Sequence, residues 1–378
     1  MNKLRKVILI IILSFIFGLL IFILLSKAVF ATTNTNLSDL IKTINPSPPR
    51  ISKEIIYENK EPAKDKPIIL IFGGDVMLSR QVNDRMRRYQ DYTWPFLKIA
   101  PLFQAADLAI INLESPFTIS NDYFVPTGSF SFKADPQAII GLTIAGIDLT
   151  VLANNHIMNQ GRAGLTATKE LAEENNIKTI GAGINEIEAR QPAVFTINNK
   201  KFGFLAYAYP EDYSVATSDR PGIANLDQEK MIIDITDLRN KVDVVIVNMH
   251  SGVEYAYQPN QQQISFARKA VEAGADLVVG HHPHWPQSWE LYQNKPIIYS
   301  LGNLVFDQMW SKETTIGLIA RLTWNDNWQT LEFIPIKITD YGQATIIEDQ
   351  TEKENLFKKI DVSENGLEQL NIPLPGLD

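Results

Sequence analysis

The chain has 378 residues, 45% of them hydrophobic, with a formal net charge of −8 and no cysteine. That length and composition suit one large or two ordinary globular domains with a well-packed core. Lack of cysteine excludes disulfides, thiolate metal ligands, thiol nucleophiles and a lipidated amino-terminal cysteine, and the acidic balance argues against broad nucleic-acid binding.

At the amino terminus, Lys3, Arg5 and Lys6 precede an apolar run over residues 7–25, broken only by Ser14 and Gly18. A helix of that length extends about 28 Å, close to the hydrocarbon thickness of a bilayer and longer than the ~7–15 residues of a signal-peptide core. Three basic residues before the run, against Lys27 after it, orient the terminus inside and the body extracytoplasmic. Residues 1–27 therefore read as a transmembrane anchor of a cell-membrane protein, with cleavage after Ala31 and secretion as the alternative. Residues 28–66 are polar and carry Pro46, Pro48, Pro49 and Pro62. They read as a tether with a flexible end-to-end distance of about 30–35 Å.

From residue 67 to 348 the pattern is that of a single domain. Five short apolar runs each break into polar residues: 67–74 before Asp75, 107–113 before Glu114, 147–153 before Asn154-Asn155-His156, 242–249 before His250, and 275–279 before Gly280-His281-His282-Pro283-His284. These are expected to be strands buried on both faces, alternating with helices over 166–176, 227–241 and 261–272, in a mainly parallel sheet of an α/β domain. Such sheets bind ligands beyond the carboxyl ends of their strands. Asp75, Glu114, Asn155, His156, His250, His282 and His284 are thus expected to meet on one rim. After Gly302 the pattern turns to alternation, with a hairpin over 315–324 and 329–338 around Asn325-Asp326-Asn327 and a strand near 344–347. Residues 349–378 are polar and rich in Glu, and read as a tail with no assignable element.

All five histidines lie in these clusters, which points to a metal site, because neutral imidazole is a common ligand of transition metals. Carboxylate, amide and imidazole together suit Mn, Fe or Zn better than Ca or Mg. Asp75, Glu114, Asn155, His250, His282 and His284 are the candidate ligands, too many for one tetrahedral ion and enough for two. Paired ions about 3.5–4 Å apart stabilise attacking and leaving oxygens and lower the pKa of bound water. His156 is then free to protonate a leaving group or stabilise charge, with Asn154 counted beside it as catalytic. Arg80, Arg85, Arg87 and Arg88 form either a cradle for phosphate or polyanion or the solvated face of a helix. Trp285, Trp289, Tyr292 and Trp310 are read as packing the histidine-rich loop, with ligand binding as the alternative. No Gly-x-Ser-x-Gly elbow and no phosphate-binding Gly-Lys-Ser/Thr loop occurs.

Six segments carry a resemblance. Gly74-Asp75-Val76-Met77-Leu78 with Arg80, Asn112-Leu113-Glu114, Ala153-Asn154-Asn155-His156 with Gly161, His250 to Tyr255, Gly280 to His284, and Tyr299-Ser300-Leu301-Gly302-Asn303 with Phe306-Asp307-Gln308 together resemble the CapA family. These are poly-γ-glutamate capsule synthesis proteins whose domain is similar to the calcineurin-like metallophosphoesterases. The resemblance implies a four-layer α/β/β/α sandwich of metallophosphatase type, preceded by one N-terminal transmembrane helix, with a metal centre of one or two divalent transition ions between two mixed sheets. Carried over residue by residue, it makes Asp75 the first metal aspartate, Glu114 the bridging carboxylate, Asn155 the amide ligand, His156 the catalytic histidine, and His250, His282 and His284 the imidazole ligands. It places Arg80, Lys133 and Glu254 on the substrate side. His281 is read as a polar turn residue or a group backing the ligands. Three departures stand out: Met77 stands where the broad phosphoesterase pattern has a histidine two residues after the first aspartate, a loss that many CapA-like chains share, and Asn159 and Ser251 stand where the family often has an aspartate and an aromatic residue.

Two functions follow. One is an anchored, extracytoplasmic metal-dependent hydrolase or transferase acting on a phosphoester or an anionic polymer, in capsule or poly-γ-glutamate synthesis, export or processing. The other is a non-catalytic accessory or scaffold subunit working beside a polymer synthase or exporter, for which the loss of the histidine at Met77 is the motive.

Overall fold

Each of the five apolar runs becomes a strand, and the polar residue that ends it lies at the strand's carboxyl end. The computed structural model describes residues 66–119, 130–209, 214–363 and 366–370. The expected anchor and tether lie outside the described residues, apart from Lys66 at the tether's end. Among those described, no helix is long and apolar enough to cross a membrane.

The strands divide between two mixed sheets. In the first, β1 (Ile68–Val76) runs parallel to β2 (Leu108–Leu113), followed by β3 (Leu149–Val151) and β4 (Lys178–Ile180). The second contains antiparallel β6 (Ala193–Ile197) and β7 (Lys200–Ala208), then parallel β9 (Val244–His250), β10 (Leu277–His281) and β12 (Lys295–Ile298), edged by β11 (Trp289–Tyr292). A small pair, β5 (Ala182–Gly183) with β8 (Gly222–Ile223), lies apart from both. Short β13 (Asn303–Val305) adds in parallel to the end of β1. The expected hairpin is present as β14 (Ile316–Asn325) and β15 (Asn327–Thr339), with Asp326 at φ 60 at its tip, and β14 pairs antiparallel with β1. Next to β15, β16 (Gln343–Ile346) completes that edge.

Alternation within the second sheet shows what each face covers. Phe202, Phe204, Val244 and Ile246 share one core with Leu70, Ile110 and Leu318 of the first sheet. Leu205, Tyr207, Val245 and Val247 share another with Met231, Ile235, Phe266 and Ala270. These last four come from α3 (Gln228–Arg239) and α4 (Gln261–Glu272), numbering the longer helices after α1 (Arg80–Tyr89) and α2 (Gly161–Glu174). Edge-on contacts, such as Phe202 with Trp324 at 5.4 Å, stitch the two sheets together. The expected helices over 166–176, 227–241 and 261–272 are α2, α3 and α4; α4 begins at a capping box in which Asn260 and Gln263 satisfy each other's backbone N–H groups.

The opposite ends of the strands are fixed by one repeated device. Asp107, Asp148, Asp243 and Asp276 stand just before β2, β3, β9 and β10. Each carboxylate accepts the N–H of a residue on the neighbouring parallel strand, at Ile69 (2.8 Å), Ala109 (2.8 Å), Lys201 (2.7 Å) and Val245 (2.9 Å). Each aspartate N–H returns a bond to that same residue's carbonyl, at 2.7–2.9 Å. Register is thereby set at the amino ends, so the carboxyl ends finish level.

The polar tail does not stand apart as its composition suggests. Residues Gln350–Lys359 form a helix, α5, and Leu367–Gln369 form β17, paired with β15. Five apolar side chains in this polar stretch, Leu356, Phe357, Ile360, Val362 and Leu370, are buried. The domain accordingly extends to residue 370, and only 371–378 lie beyond the description.

Asp276 carries the most heavily used clip, since it also pairs with Arg239 and, at 2.7 Å, with Lys295. Replacing it (Asp276→Ala) is expected to lower stability by about 1–3 kcal/mol through the stranded Val245 N–H. The reading is a lower urea midpoint at unchanged slope; an unmoved midpoint would show that the clip adds nothing.

Candidate metal centre

The rim is built where β1, β2, β3, β9 and β10 end. β1 has an irregular register between Phe72 and Asp75, and there Gly74 lies so close to the Gly302 carbonyl that an added Cβ would sit 1.9 Å from its oxygen. That approach lets Asp75 N donate to Gly302 O at 2.9 Å and turns the Asp75 carboxylate inward. Beyond β10, His282 and His284 take φ of 100 and 59, a region unfavourable for non-glycine residues and costing about 1–3 kcal/mol each. This backbone directs both imidazoles to the same side.

Asp75 and Glu114 are fully buried, and Asn112 lies between them. Its Nδ2 donates to Asp75 Oδ1 (2.8 Å) and Glu114 Oε1 (3.1 Å) and is 3.2 Å from His250 Nδ1. An amide has two hydrogens, so three acceptors around one nitrogen leave a deficit of positive charge. Among the described residues no lysine or arginine ion-pairs with either carboxylate, and Glu114 Oε2 has no hydrogen-bond partner. The two acids respond in opposite directions. Burial and the neighbouring Asp75 charge push Glu114 well above the usual carboxylate range. Burial pushes Asp75 the same way, but His281 and His284 outweigh it and hold Asp75 well below that range.

The imidazoles gather around this pair. His284 Nδ1 lies 3.3 Å from Asp75 Oδ2 and 2.9 Å from Asn303 Oδ1. Both neighbours are acceptors, since the Asn303 amide nitrogen is used by Gln308 and the Thr314 carbonyl, so His284 Nδ1 carries the proton and Nε2 keeps a free lone pair. His250 Nε2 lies 3.0 Å from Asn155 Oδ1 and 3.1 Å from His282 Nδ1. Burial and its histidine neighbours hold His250 well below its ordinary value, and burial, with His284 close by, lowers His282 to about 4. Both are neutral near pH 7, the form that binds metal. An orphaned carboxylate oxygen, neutral imidazoles and an uncompensated acid pair fit a divalent transition ion. Asp75, Glu114 and His284 offer ligand atoms within 4.8 Å of one another.

A family model described as bacterial capsule synthesis protein PGA_cap matches residues 69–308, a range that contains every one of these groups. The chain belongs to the PGA_cap family. Within it, the chain is 28% identical over 298 residues to the PGA biosynthesis protein CapA of Bacillus subtilis, covering 78% of each chain. It is 27% identical over 306 residues to the capsule biosynthesis protein CapA of Bacillus anthracis, covering 79% of this chain and 74% of the relative. Among solved structures it is similar to a hypothetical protein from Thermus thermophilus, at 14% identity and a TM-score of 0.46 over 72% of this chain and all of the other. A 5'-nucleotidase from Candida albicans matches at 13% identity and a TM-score of 0.41, over 72% of this chain and 52% of the other.

In this PGA_cap chain the residues singled out from sequence divide by position. Asp75, Glu114, Asn155, His250, His282 and His284 come together. His156 stands beside them, its Nε2 3.3 Å from Asn155 Nδ2 and its Nδ1 3.0 Å from Asn159 Oδ1. Because Asn159 Oδ1 is an acceptor, which also takes the Phe132 N–H, His156 keeps its proton on Nδ1 and offers Nε2 as an acceptor. The Phe132 ring stacks on it at 4.0 Å, and burial pushes its pKa down to about 3. In this tautomer His156 donates from Nδ1 to Asn159 and turns Nε2 toward Asn155. Asn154 is buried and fully engaged, donating to Leu113 O and Asn112 Oδ1 and accepting from His156 N and Ile157 N. It shapes the loop and presents nothing to a substrate.

The substrate-side residues are less uniform. Arg80 is ion-paired with Asp307 and lies over the Phe132 ring at 4.7 Å, so it braces the site. Arg85 pairs with Asp340 on the far side of α1. Lys133 donates its backbone N–H to Ser79 Oγ and is half-buried. Glu254 is exposed, and its charge reaches Glu114 and His282. Trp289 packs on Phe333 and Trp285 on Tyr257, whereas Trp310 is 61% exposed, edge-on to Tyr255. Sequence reasoning missed Asn112 as an organising group; its signal is position, a buried amide within a matched motif. It also misjudged His281, which ends β10 with 1% exposure and does not sit in a turn.

Changing Asn159→Asp places a carboxylate against His156 Nδ1 and favours the imidazolium. The His156 pKa should rise from about 3 by roughly 1–3 units, read from the histidine ring resonances of the metal-free protein during a pH titration. An unchanged titration would mean that Asn159 does not face Nδ1.

Proposed function

We propose that this protein is a membrane-anchored, extracytoplasmic member of its family, working in the synthesis, export or processing of poly-γ-glutamate or a related anionic polymer through a metal-dependent hydrolase or transferase site. The observation that carries the reading is the buried Asp75 and Glu114 pair, ringed by neutral imidazoles and lacking any cationic partner among the described residues. Such a donor set costs folding energy unless a cation completes it. Asp75, Glu114, Asn155, His250, His282 and His284 would hold one or two ions of the Mn, Fe or Zn kind, in a metallophosphatase-type layering of helices outside two sheets. A bound ion would supply a Lewis acid for a phosphoryl or carbonyl oxygen.

The chain's own groups supply the rest. His156 Nε2 takes the proton released as a nucleophile attacks, while Asn159 keeps the ring in the Nδ1–H tautomer. Phe132 and Phe306 dry the pocket wall, which strengthens every charge interaction inside it. The acidic chain suits an anionic polymer only where positive charge is local, and Lys133 is the half-buried cation on that side. Residues 1–27 would tether the domain to the membrane facing outward, beside a synthase or export subunit.

The scaffold reading has an observation of its own. Met77 supplies no imidazole, and its sulfur accepts the Ser79 N–H at 3.1 Å. One experiment separates the two. The full chain, purified in detergent, is assayed for bound transition metal and for cleavage of a phosphodiester and of poly-γ-glutamate with added Mn. Bound metal is expected, with turnover that falls at least ~100-fold in His156→Ala while metal is retained. No uptake of metal would end the enzyme reading; metal uptake without turnover on any of these substrates would favour the scaffold.

A further inference from the structure

We infer that His281 is an additional metal ligand, standing on the Asp75 side of the centre and supplying the imidazole that Met77 does not. The inference rests on the metal reading above. His281 is the last residue of β10 and pairs in register with His250 on β9, so the two rings leave neighbouring strands on the same face. Its ring is 1% exposed, and its Nδ1 lies 3.5 Å from Asp75 Oδ1. Neither ring nitrogen has a hydrogen-bond partner.

A buried histidine of purely structural use satisfies its N–H and its lone pair, because leaving one such group unpaired costs about 1–3 kcal/mol. His281 leaves both unpaired beside an ionised carboxylate. A histidine merely hydrogen-bonded to Asp75 would approach to about 2.7–2.9 Å. Two ligand atoms sharing one ion at about 2.0–2.2 Å each lie roughly 3.0–3.5 Å apart, the separation that His281 Nδ1 keeps from Asp75 Oδ1. Met77, two residues after Asp75, is buried with its sulfur turned into its own turn, and it leaves that side of Asp75 without a donor.

The test uses the full chain in detergent, stripped with a chelator and titrated with Co²⁺, read by calorimetry and visible absorption. Wild type, His281→Leu and His281→Asn are compared, with the melting temperature of each taken with and without Co²⁺. A ligand role predicts that either variant binds Co²⁺ at least ~100-fold more weakly with an altered absorption band, that the Co²⁺-induced rise in melting temperature shrinks, and that the metal-free Leu variant melts no lower than wild type. Wild-type affinity and spectrum in a folded variant would overturn the assignment and leave the metal centre standing. Failure of wild type to take up Co²⁺ would overturn both.

Discussion

Two carboxylates buried without a cation are the constraint on which the rest of this structure depends. Asp75 and Glu114 have no solvent to stabilise them and no arginine or lysine partner among the described residues; the Asn112 amide bridges them, and His281, His284 and the His282 N–H face Asp75. Burying an unpaired charge is among the most expensive things a fold can do. The cost is spread by letting one acid take up a proton more readily while the other stays ionised against histidines, which is why the two shift in opposite directions. Everything around the pair then serves either to hold it or to be held by it.

The aspartate clips show how a site of this kind is assembled at a distance. Asp107, Asp148 and Asp243 stand seven residues before Glu114, Asn155 and His250; β2 and β9 fill that span as strand, whereas β3 ends at Val151 and a short irregular stretch carries Asn155. Register is set at the amino ends by side chain to backbone bonds, and the repeated spacing brings the functional residues to the opposite rim. Two of the three clips lie in one sheet and the third in the other, so the same rule places ligands from both sheets against one centre.

This spacing explains why so much could be read from the chain. An apolar run that breaks at a carboxylate, an amide or an imidazole declares both a buried strand and the residue at its end, so Asp75, Glu114, Asn155 and His250 were visible. Partition into two sheets came only with the family resemblance, since strands buried on both faces have the same composition in either. Asn112 was hidden because a lone buried amide in a strand gives no signal until its neighbours are known. The tail was misread because five anchoring apolar residues are too sparse to show periodicity, although β15 offers a free edge to receive Leu367–Gln369. His281 was misread because its neighbours in sequence belong to a loop, whereas the strand ends one residue later than the Gly280 punctuation suggests.

Met77, Asn159 and Ser251, the three positions singled out from sequence as departures, lie close to the site's charged groups. At position 159 an aspartate would favour a charged His156 and add a negative charge near a pair already short of positive ones; an amide keeps the orientation and removes that charge. At position 77 a thioether ends one route for an imidazole to reach Asp75, while β10 brings another to the same carboxylate from the facing sheet. Ser251, buried with an unpartnered hydroxyl, leaves room beside β10, its N–H bonded to the His281 carbonyl. An aromatic ring there would crowd the strand that carries His281. An amide at 159 and a histidine at 281 thus leave less negative charge around His156 and one more imidazole beside Asp75.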